Sequence, residues 1–347
     1  MDRRQFAKAA LSSAATGLLA RPALAATQPA RRNFAVTTRV ALPAADGVTE
    51  AWLPLFARRT AYQQAANPGW NTTGAARVVT DSNSGARALH VTWQSGAERS
   101  VELVEHLATW ERGNEPRGNL SSAERRRYTA GSAALPTDGL VRERANAIAG
   151  NLSDPRARAR ALYDWVVENT WRDPGTPGCG TGDVIAMLRD GQMGGKCADI
   201  NALMIALSRA VGLPARDIYG IRLADSTLFR SLGRSGTITG AQHCRAEVWL
   251  DNAGWLAVDP ADVRKAVLEE KLPLESEPIR ALRERLFGRW EANWAGYNDA
   301  TSVALPGAPA QPQFHFLMYP TVAVNGKAMS CLNAKASGYS IACSEVS

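Results

Sequence analysis

Short alternating runs of apolar and polar residues dominate the first third of the chain. The segments FAVTTRVAL, ARVVTDS, ALHVTWQ and SVELVEHL are separated by Gly, Asn, Pro and Asp residues. Strict alternation places every second side chain on one face of a strand, which is typical of antiparallel sheets with one buried face. The pattern therefore predicts an N-terminal β domain over residues 32–112.

The spacing of apolar residues becomes helical near residue 138. The segments LVRERANAIAG and DPRARARALYDWVVENTW both show it, and the second begins with Asp154 as a candidate N-cap and Pro155 at the first helical position. A third helix is predicted directly after Cys197, because apolar residues recur there every three or four positions. Residues 111–137 are polar and contain Gly and Pro, so they are expected to be a connection.

The remaining segments predict strands and turns. DIYGIRL is expected to be a strand, and HCRAEVWL, DNAG and WLAVDP are expected to form a β-hairpin. A three-residue hairpin loop with Gly254 in the left-handed conformation would place His243 and Asp259 on the same face. The chain is therefore predicted to be α+β, with a central unit over residues 138–300 and a C-terminal β-hairpin tail over residues 312–347.

The N-terminus has the features of an export signal. Arg3 and Arg4 precede a mildly apolar, Ala-rich stretch that ends in a small-residue motif at Ala25. This arrangement predicts a twin-arginine signal over residues 1–25, with cleavage near Ala25. The apolar stretch is shorter than the ~20 residues needed to span a bilayer. A periplasmic or secreted protein without a membrane span is therefore expected.

Charge and motifs argue against several classes of function. The net charge is +7, but the first 25 residues hold four basic residues and one acidic residue, so it falls to +4 without them. The remaining charges are interspersed, which gives nucleic-acid binding little support. No phosphate-binding loop, dinucleotide fingerprint or serine nucleophile elbow is present in the sequence. No cofactor is therefore predicted.

The chain contains five cysteines, an odd number. In an oxidising compartment at least one thiol then stays free, and Cys197 is the candidate. Cys331 and Cys343 flank a hairpin-like segment and could form a disulfide; Cys179 and Cys244 remain as the other pair. No spacing supports a four-ligand zinc site, and no acidic cluster resembles a calcium loop, so no metal is predicted.

Cys197 has the surroundings of a nucleophile. It follows the Gly194-Gly195 pair and begins a helix, where backbone dipoles favour the thiolate. His243 lies on the polar face of its predicted strand, and Asp259 ends the next strand. Each residue alone is better explained as structural. In combination they supply a nucleophile, a base and a group that orients the base.

Three segments carry a resemblance to a known family. GGKCADINALMIALSRAVGLPAR, HCRAEVWL and GWLAVDPADV resemble the core of the transglutaminase-like superfamily, whose papain-like fold carries a Cys-His-Asp triad in this order. The resemblance covers about residues 138–264. It implies that Cys197 is the nucleophile, His243 the general base and acid, and Asp259 the orienting group. Many members have His-Ala-Trp at the histidine, and the change to Cys244 and Arg245 predicts a different substrate-side surface.

The resemblance implies acyl transfer through a thioester. The export signal and the lack of a cofactor motif favour hydrolysis, by a cysteine peptidase or amidase acting on a peptide or protein substrate in the cell envelope. Trp171 and Gln192 are the candidates for a side chain that stabilises the oxyanion. A transamidating cross-linker is one alternative. A non-catalytic envelope binding module is another, and it predicts triad residues too far apart to hydrogen-bond, or a covered thiol.

Overall fold

The computed structural model describes residues 30–113, 118–308 and 316–347. Within these residues the fold is α+β, as predicted. The predicted export signal and its cleavage position near Ala25 lie outside the described residues. Among the helices that are described, none combines the length and the apolar composition needed to cross a membrane.

The N-terminal third is built of strands. They are β1 (Arg32–Leu42), β2 (Thr49–Pro54), β3 (Gln63–Ala65), β4 (Gly69–Thr72), β5 (Ala75–Thr80), β6 (Arg87–Trp93) and β7 (Arg99–Thr109). In β1 and β7 buried positions alternate with more exposed ones. This is the burial expected from the alternating sequence pattern.

Helices dominate the central part of the chain. Up to the first long central strand the elements are α1 (Ser122–Thr129), α2 (Gly139–Ala149), α3 (Pro155–Asn169), β8 (Trp171–Arg172), α4 (Val184–Asp190), β9 (Gly194–Gly195), α5 (Cys197–Ala210) and β10 (Ala215–Arg222). The rest are β11 (Gly236–Thr237), β12 (Gln242–Leu250), β13 (Gly254–Val258), α6 (Pro260–Glu269), α7 (Glu277–Arg285), β14 (Trp294–Asn298), β15 (Thr321–Val324), β16 (Lys327–Ala328) and β17 (Tyr339–Val346).

Strands from both ends of the chain share two sheets. One has the order β11-β17-β1-β7-β3, with β4 also on β7, and the other has the order β16-β15-β2-β6-β5. The predicted C-terminal hairpin turn is present, with Asn325 and Gly326 both at positive φ. Beyond this turn, β17 pairs with β1 along eight residue positions. The C-terminal segment is thus joined to the N-terminal strands by backbone hydrogen bonds.

The central sheet has the order β13-β12-β10-β14 and is antiparallel throughout. Helix α5 packs against β12 and β10 on one side and against α2 and α3 on another. Every residue of α5 is buried, from its first position at Cys197 to its last. Because a helix that is enclosed on all sides cannot shift without opening the core, the position of Cys197 is fixed by packing.

Helix α1 corrects the prediction that residues 111–137 are only a connection. The Ser121 hydroxyl accepts from the backbone N–H of Glu124, and the Glu124 carboxylate accepts from the N–H of Ser121. This is a capping box, and its Ser-x-x-Glu signature is visible in the sequence. Tyr128 on the same helix is buried against Trp255, which gives α1 its one apolar anchor.

A buried carboxylate joins the N-terminal strands to the central sheet. Glu247 on β12 is fully buried, and its Oε1 lies 3.1 Å from Nε and Nη2 of Arg112, which follows β7. Its other oxygen, Oε2, lies 2.7 Å from Nη2 of Arg216 on β10. One carboxylate therefore balances two guanidinium groups, of which Arg112 is itself 2 % exposed.

We predict that Glu247→Gln lowers the free energy of unfolding by about 3 kcal/mol, because it removes the buried counter-charge of Arg112 and leaves Arg216 with Asp299 alone. Urea denaturation measures this loss. The matched control is Glu102→Gln, since the Glu102 side chain is 44 % exposed in its ion pair with Arg39. That change should cost less than about 1 kcal/mol. Equal losses in the two variants would contradict the account.

Candidate active site

Cys197 occupies the first position of α5, and Lys196 separates it from the glycines of β9. The short strand β9 pairs in parallel with β8, matching Gly194 with Trp171 and Gly195 with Arg172. This pairing holds the chain extended up to the residue before the helix. The backbone N–H of Cys197 has no acceptor within the helix, because the first N–H groups of a helix lack one.

Asp199 fixes the loop around the start of α5. Its carboxylate accepts hydrogen bonds from the backbone N–H groups of Lys196, Thr181 and Gly182, at 2.8–2.9 Å. A Cβ atom at Gly195 would lie 2.6 Å from the Cβ of Asp199, so only glycine permits this approach. Gly195 therefore serves the packing of Asp199, two residues from Cys197, whereas a Cβ atom at Gly194 would clash with Nε1 of Trp171.

The β12–β13 hairpin brings His243 and Asp259 together. Leu250 pairs with Gly254, which leaves a three-residue loop, and Gly254 has a φ of 79°. The sequence analysis predicted this loop length and this glycine conformation as the arrangement that places His243 and Asp259 on the same face. The His243 carbonyl also accepts a hydrogen bond of 2.9 Å from Nε1 of Trp294 on β14, which holds the strand at this point.

Asp259 has two structural roles at once. Its Oδ1 caps α6 by accepting from the N–H of Asp262 at 3.1 Å, and Pro260 takes the first helical position. Its Oδ2 lies 2.8 Å from Nε2 of His243. The turn expected of an Asp-Pro pair and the contact expected of a triad are therefore both present.

His243 also acts on Cys197, since its side chain contributes to lowering the pKa of the thiol. Because Asp259 occupies Nε2, the opposite ring nitrogen, Nδ1, is left to serve the thiol. Cys197 is 4 % exposed, His243 2 % and Asp259 fully buried. The three residues predicted as a triad are thus all buried, and His243 is hydrogen-bonded to Asp259.

A second carboxylate, that of Asp262, lies beside the imidazole. Its Oδ2 is 3.4 Å from Nε2 of His243, and its two oxygens also accept from the guanidinium of Arg222 at 2.5 and 3.2 Å. Sequence reasoning missed both residues. Asp262 stands three positions after Asp259, but Arg222 comes from the end of β10, and only the tertiary fold brings it here.

Arg245 lies behind the triad instead of on its substrate side. Its Nε is 3.4 Å from Oδ2 of Asp259, and its guanidinium stacks over Trp294 at 4.8 Å. Both Arg245 and Cys244 are buried. The departure from His-Ala-Trp was therefore wrongly expected to change the substrate-side surface. The arginine instead adds a positive charge beneath Asp259.

The groups around the site raise the pKa of His243 and lower the pKa of Cys197. Burial and the nearby charge of Arg222 lower the pKa of His243, but the carboxylates of Asp262 and Asp259 outweigh them and raise it to about 9. Hydrogen bonds from Cys179 and Cys244 lower the pKa of the Cys197 thiol well below its usual range, burial opposes them, and His243 adds to the lowering. Both shifts favour a thiolate beside an imidazolium.

Three thiols meet at this point of the fold. Cys179 and Cys244 both act on the Cys197 thiol and lower its pKa, and Cys179 donates to the carbonyl of Gln242 at 3.3 Å. All five cysteines are free thiols in the structure, so Cys331 and Cys343 are not bridged here. Cys179 and Cys244 are thus neighbours of the nucleophile candidate, which their positions in the sequence did not indicate.

The structure does not bring either predicted oxyanion residue into the cleft that holds Cys197. Trp171 is 42 % exposed and packs beside Gly194, while Gln192 lines a separate cavity near α4. Gln242, the residue before His243, does line the cleft. Its side-chain amide is buried, and neither its oxygen nor its nitrogen has a hydrogen-bond partner among the described residues.

A cleft of about 780 Å³ reaches the reacting groups from the surface. Its walls include Cys197, His243 and Gln242 on one side and Tyr319 and Tyr339 from the C-terminal segment on another. Little of the Cys197 thiol is exposed to solvent. It nevertheless lines this cleft, which is large enough for a peptide segment.

His243, Asp259 and Asp262 offer atoms within 4.8 Å of one another, a spacing that could suit a metal ion. However, Arg222 already binds Asp262, and Arg245 lies next to Asp259. A cation placed between these carboxylates would face two buried guanidiniums. The charge distribution therefore favours an imidazolium at this position over a metal.

Comparison with known proteins gives consistent results. The sequence model of the transglutaminase-like superfamily matches residues 142–260. A protein of Haemophilus influenzae, described only as uncharacterized, is 34 % identical over 326 residues, which cover 87 % of this chain and 88 % of that protein.

Solved structures extend the likeness to the fold. The crystal structure of a "putative cysteine protease" from Cytophaga hutchinsonii has a TM-score of 0.53 at 15 % identity and covers 92 % of both chains. The periplasmic domain of TgpA from Pseudomonas aeruginosa has a TM-score of 0.37 at 17 % identity, covering 72 % of this chain and 92 % of that one. With its matched core and its 34 % identical relative, this chain belongs to the transglutaminase-like superfamily.

Proposed function

We propose that this protein is a cysteine-dependent acyl-transfer enzyme that hydrolyses a peptide or amide bond through a thioester, with Cys197 as nucleophile. One observation carries the proposal: Cys197 and His243 line the same open cleft, His243 lowers the pKa of the thiol, and Oδ2 of Asp259 lies 2.8 Å from Nε2 of the imidazole. A binding module that had lost catalysis would have no need of a thiol whose pKa is lowered beside an imidazole whose pKa is raised.

The first half of the reaction forms the acyl-enzyme. The Cys197 thiolate attacks the carbonyl carbon of the substrate, and the carbonyl oxygen becomes an oxyanion. When the carbon–nitrogen bond breaks, the His243 imidazolium gives its proton to the leaving amine. Asp259 holds the ring in position through Nε2 during this transfer. The products of this half are a free amine and a thioester on Cys197.

The second half releases the acid. His243, now neutral, takes a proton from a water molecule that attacks the thioester carbonyl, and the thiolate leaves. The released carboxylic acid and the regenerated thiolate–imidazolium pair complete the cycle. Amine attack in place of water would give transamidation instead, and the same residues would serve it.

We propose two donors for the oxyanion. The backbone N–H of Cys197 is one, because it begins a helix and has no acceptor there. The second is the amide of Gln242, in place of the sequence candidates Trp171 and Gln192. Its buried nitrogen lines the same cleft and has no partner among the described residues. A buried donor that is not hydrogen-bonded costs stability, and an oxyanion in the cleft would satisfy it.

The cell envelope is the proposed site of action. The export signal predicted over residues 1–25 supports it. The substrate proposed is a peptide or protein of that compartment, since an open cleft can admit a chain segment.

Product analysis tests the reaction. Wild type and Cys197→Ala are incubated with peptides extracted from a bacterial periplasm, in ¹⁸O-labelled water with a fluorescent primary amine, and the products are analysed by mass spectrometry. We expect shortened peptides with ¹⁸O in their new carboxyl groups, formed only by wild type. Amine adducts without hydrolysis would indicate a cross-linker, and identical spectra from both proteins would contradict the enzyme proposal.

Alkylation of Cys197 by iodoacetamide tests the state of the thiol. An ordinary cysteine reacts about 100-fold faster at pH 8 than at pH 6, because its pKa is about 8.5. For Cys197 we expect a nearly constant rate over this range, since its pKa is lowered and the pKa of His243 is raised to about 9. The variant His243→Ala should restore the ordinary rise with pH. A wild-type rate that rises tenfold for each pH unit would contradict the prediction.

Gln242→Met tests the proposed oxyanion donor. The change keeps the side-chain length and removes the N–H donors, so we expect kcat for peptide hydrolysis to fall about 100-fold. Alkylation of Cys197 should fall far less, because no oxyanion forms in that reaction. Gln64→Met, the same change at an exposed position of β3, is the matched control. Equal losses of hydrolysis and alkylation in Gln242→Met would indicate a purely structural role.

A further inference from the structure

The cleft beside Cys197 has an excess of positive charge. Six basic side chains line it, compared with two carboxylates, those of Glu269 and Glu270. The basic residues are Arg172, Lys196, Arg222, Arg230, Arg234 and Lys265. They come from separate parts of the chain, and the fold places them around one opening.

Part of this charge is balanced within the protein. Arg222 is bound by Asp262, and the Nε of Arg172 lies 2.9 Å from Oε1 of Glu269. Lys265 is 3.9 Å from the other oxygen of Glu269, so a single carboxylate serves two cations. Glu270 accepts the backbone N–H of Ser231 at 2.7 Å. The acidic side chains of the cleft are therefore already engaged.

Three cations remain without such a partner. Across residues 30–113, 118–308 and 316–347, no carboxylate lies within 4.0 Å of the charged atoms of Lys196, Arg230 or Arg234. Lys196 directly precedes the nucleophile. Arg230 and Arg234 lie in the loop between β10 and β12, and the Nε of Arg234 donates to the carbonyl of Thr237. The arginine side chains are exposed at the rim of the cleft.

The reacting groups do not cancel this excess. A thiolate on Cys197 is matched by the imidazolium of His243, and the carboxylates of Asp259 and Asp262 are matched by Arg245 and Arg222. Burial lowers the pKa of Lys265 to about 8, and the charge of Arg222 adds to this lowering against the charges of Asp262 and Glu269. A bound anion would relieve this repulsion.

We propose that the cleft selects substrates that carry a carboxylate close to the bond attacked by Cys197, that is, acidic peptides, and that Lys196, Arg230 and Arg234 are the residues that recognise it. This inference rests on the proposed function, because it takes Cys197 as the nucleophile. Complementary charge in a partly enclosed cleft raises the local concentration of an oppositely charged ligand and discriminates against a neutral one.

Two small alkylating reagents of nearly equal size test the inference. Iodoacetate is an anion and iodoacetamide is neutral, and both alkylate a thiolate. We define the charge preference as the rate constant with iodoacetate divided by that with iodoacetamide, measured at Cys197 by mass spectrometry. We expect this preference to exceed that of free glutathione about tenfold at low ionic strength, and to decline as salt is added.

Substitutions of the three unpaired cations test whether they produce the charge preference. The double variant Arg230→Gln/Arg234→Gln, and separately Lys196→Gln, should each lower the charge preference several-fold. Arg77→Gln is the matched control, because it removes one exposed positive charge on β5, outside the cleft. The inference would be overturned if the charge preference of wild type equalled that of glutathione. It would also be overturned if the cleft variants kept the same charge preference as Arg77→Gln.

The two proposals fail in different ways. Slow alkylation of Cys197 by both reagents at neutral pH would count against the activated nucleophile. Fast alkylation by iodoacetamide without a charge preference would leave the nucleophile intact and overturn only the acidic-substrate inference. Paired fluorogenic peptides that differ by Glu or Gln next to the cleaved bond then extend the test to hydrolysis. We expect the Glu peptides to have at least tenfold higher kcat/KM, and equal values would contradict the inference.

Discussion

The site depends on one constraint: a histidine is buried between two carboxylates, and the resulting charges have to balance. His243 contacts Asp259 and Asp262, and each carboxylate has an arginine on its far side. With the arginines in place, the four surrounding charges sum to zero. The two carboxylates lie closer to the ring and outweigh burial and the charge of Arg222, so they raise the pKa of His243, and His243 in turn lowers the pKa of the Cys197 thiol. Removing any one of these groups would leave a buried charge unpaired, which is costly in a protein interior.

The fold keeps this balance by giving its elements more than one role. Asp259 caps α6 with one oxygen and orients His243 with the other, so the position of the carboxylate is set by a helix start and not by a flexible loop. Cys197 begins a helix that is buried along its whole length. The two reacting groups are thus attached to rigid elements, and small shifts of either one would disturb packing throughout the core.

The sequence predicted the parts that local pattern encodes. The helix after Cys197, the three-residue loop before Gly254 and the α+β class all follow from periodicity and turn chemistry. The resemblance supplied the three residues proposed as a triad. Helix α1 could have been found as well, because Ser121 and Glu124 carry the capping-box signature. It was overlooked because its composition is so polar.

The remaining features arise from tertiary contacts that no local pattern records. Arg222 reaches the site from the end of β10, and the three thiols meet only when α5 packs on β12. Nothing in the spacing of Gln242 distinguishes it from a solvated strand residue. Similarly, the pairing of β17 with β1 joins residues about 300 positions apart in the chain, which alternation alone cannot match to a partner.

The charge state of the Cys197–His243 pair is the central claim, and the ultraviolet absorbance of the thiolate measures it most directly. The difference in absorbance between wild type and Cys197→Ala, followed from acidic to alkaline pH, isolates this one thiol from the other four. The account predicts that the thiolate signal is already complete at neutral pH and that it moves to alkaline pH in His243→Ala. A wild-type signal that appears only near the pKa of an ordinary cysteine, about 8.5, would contradict it.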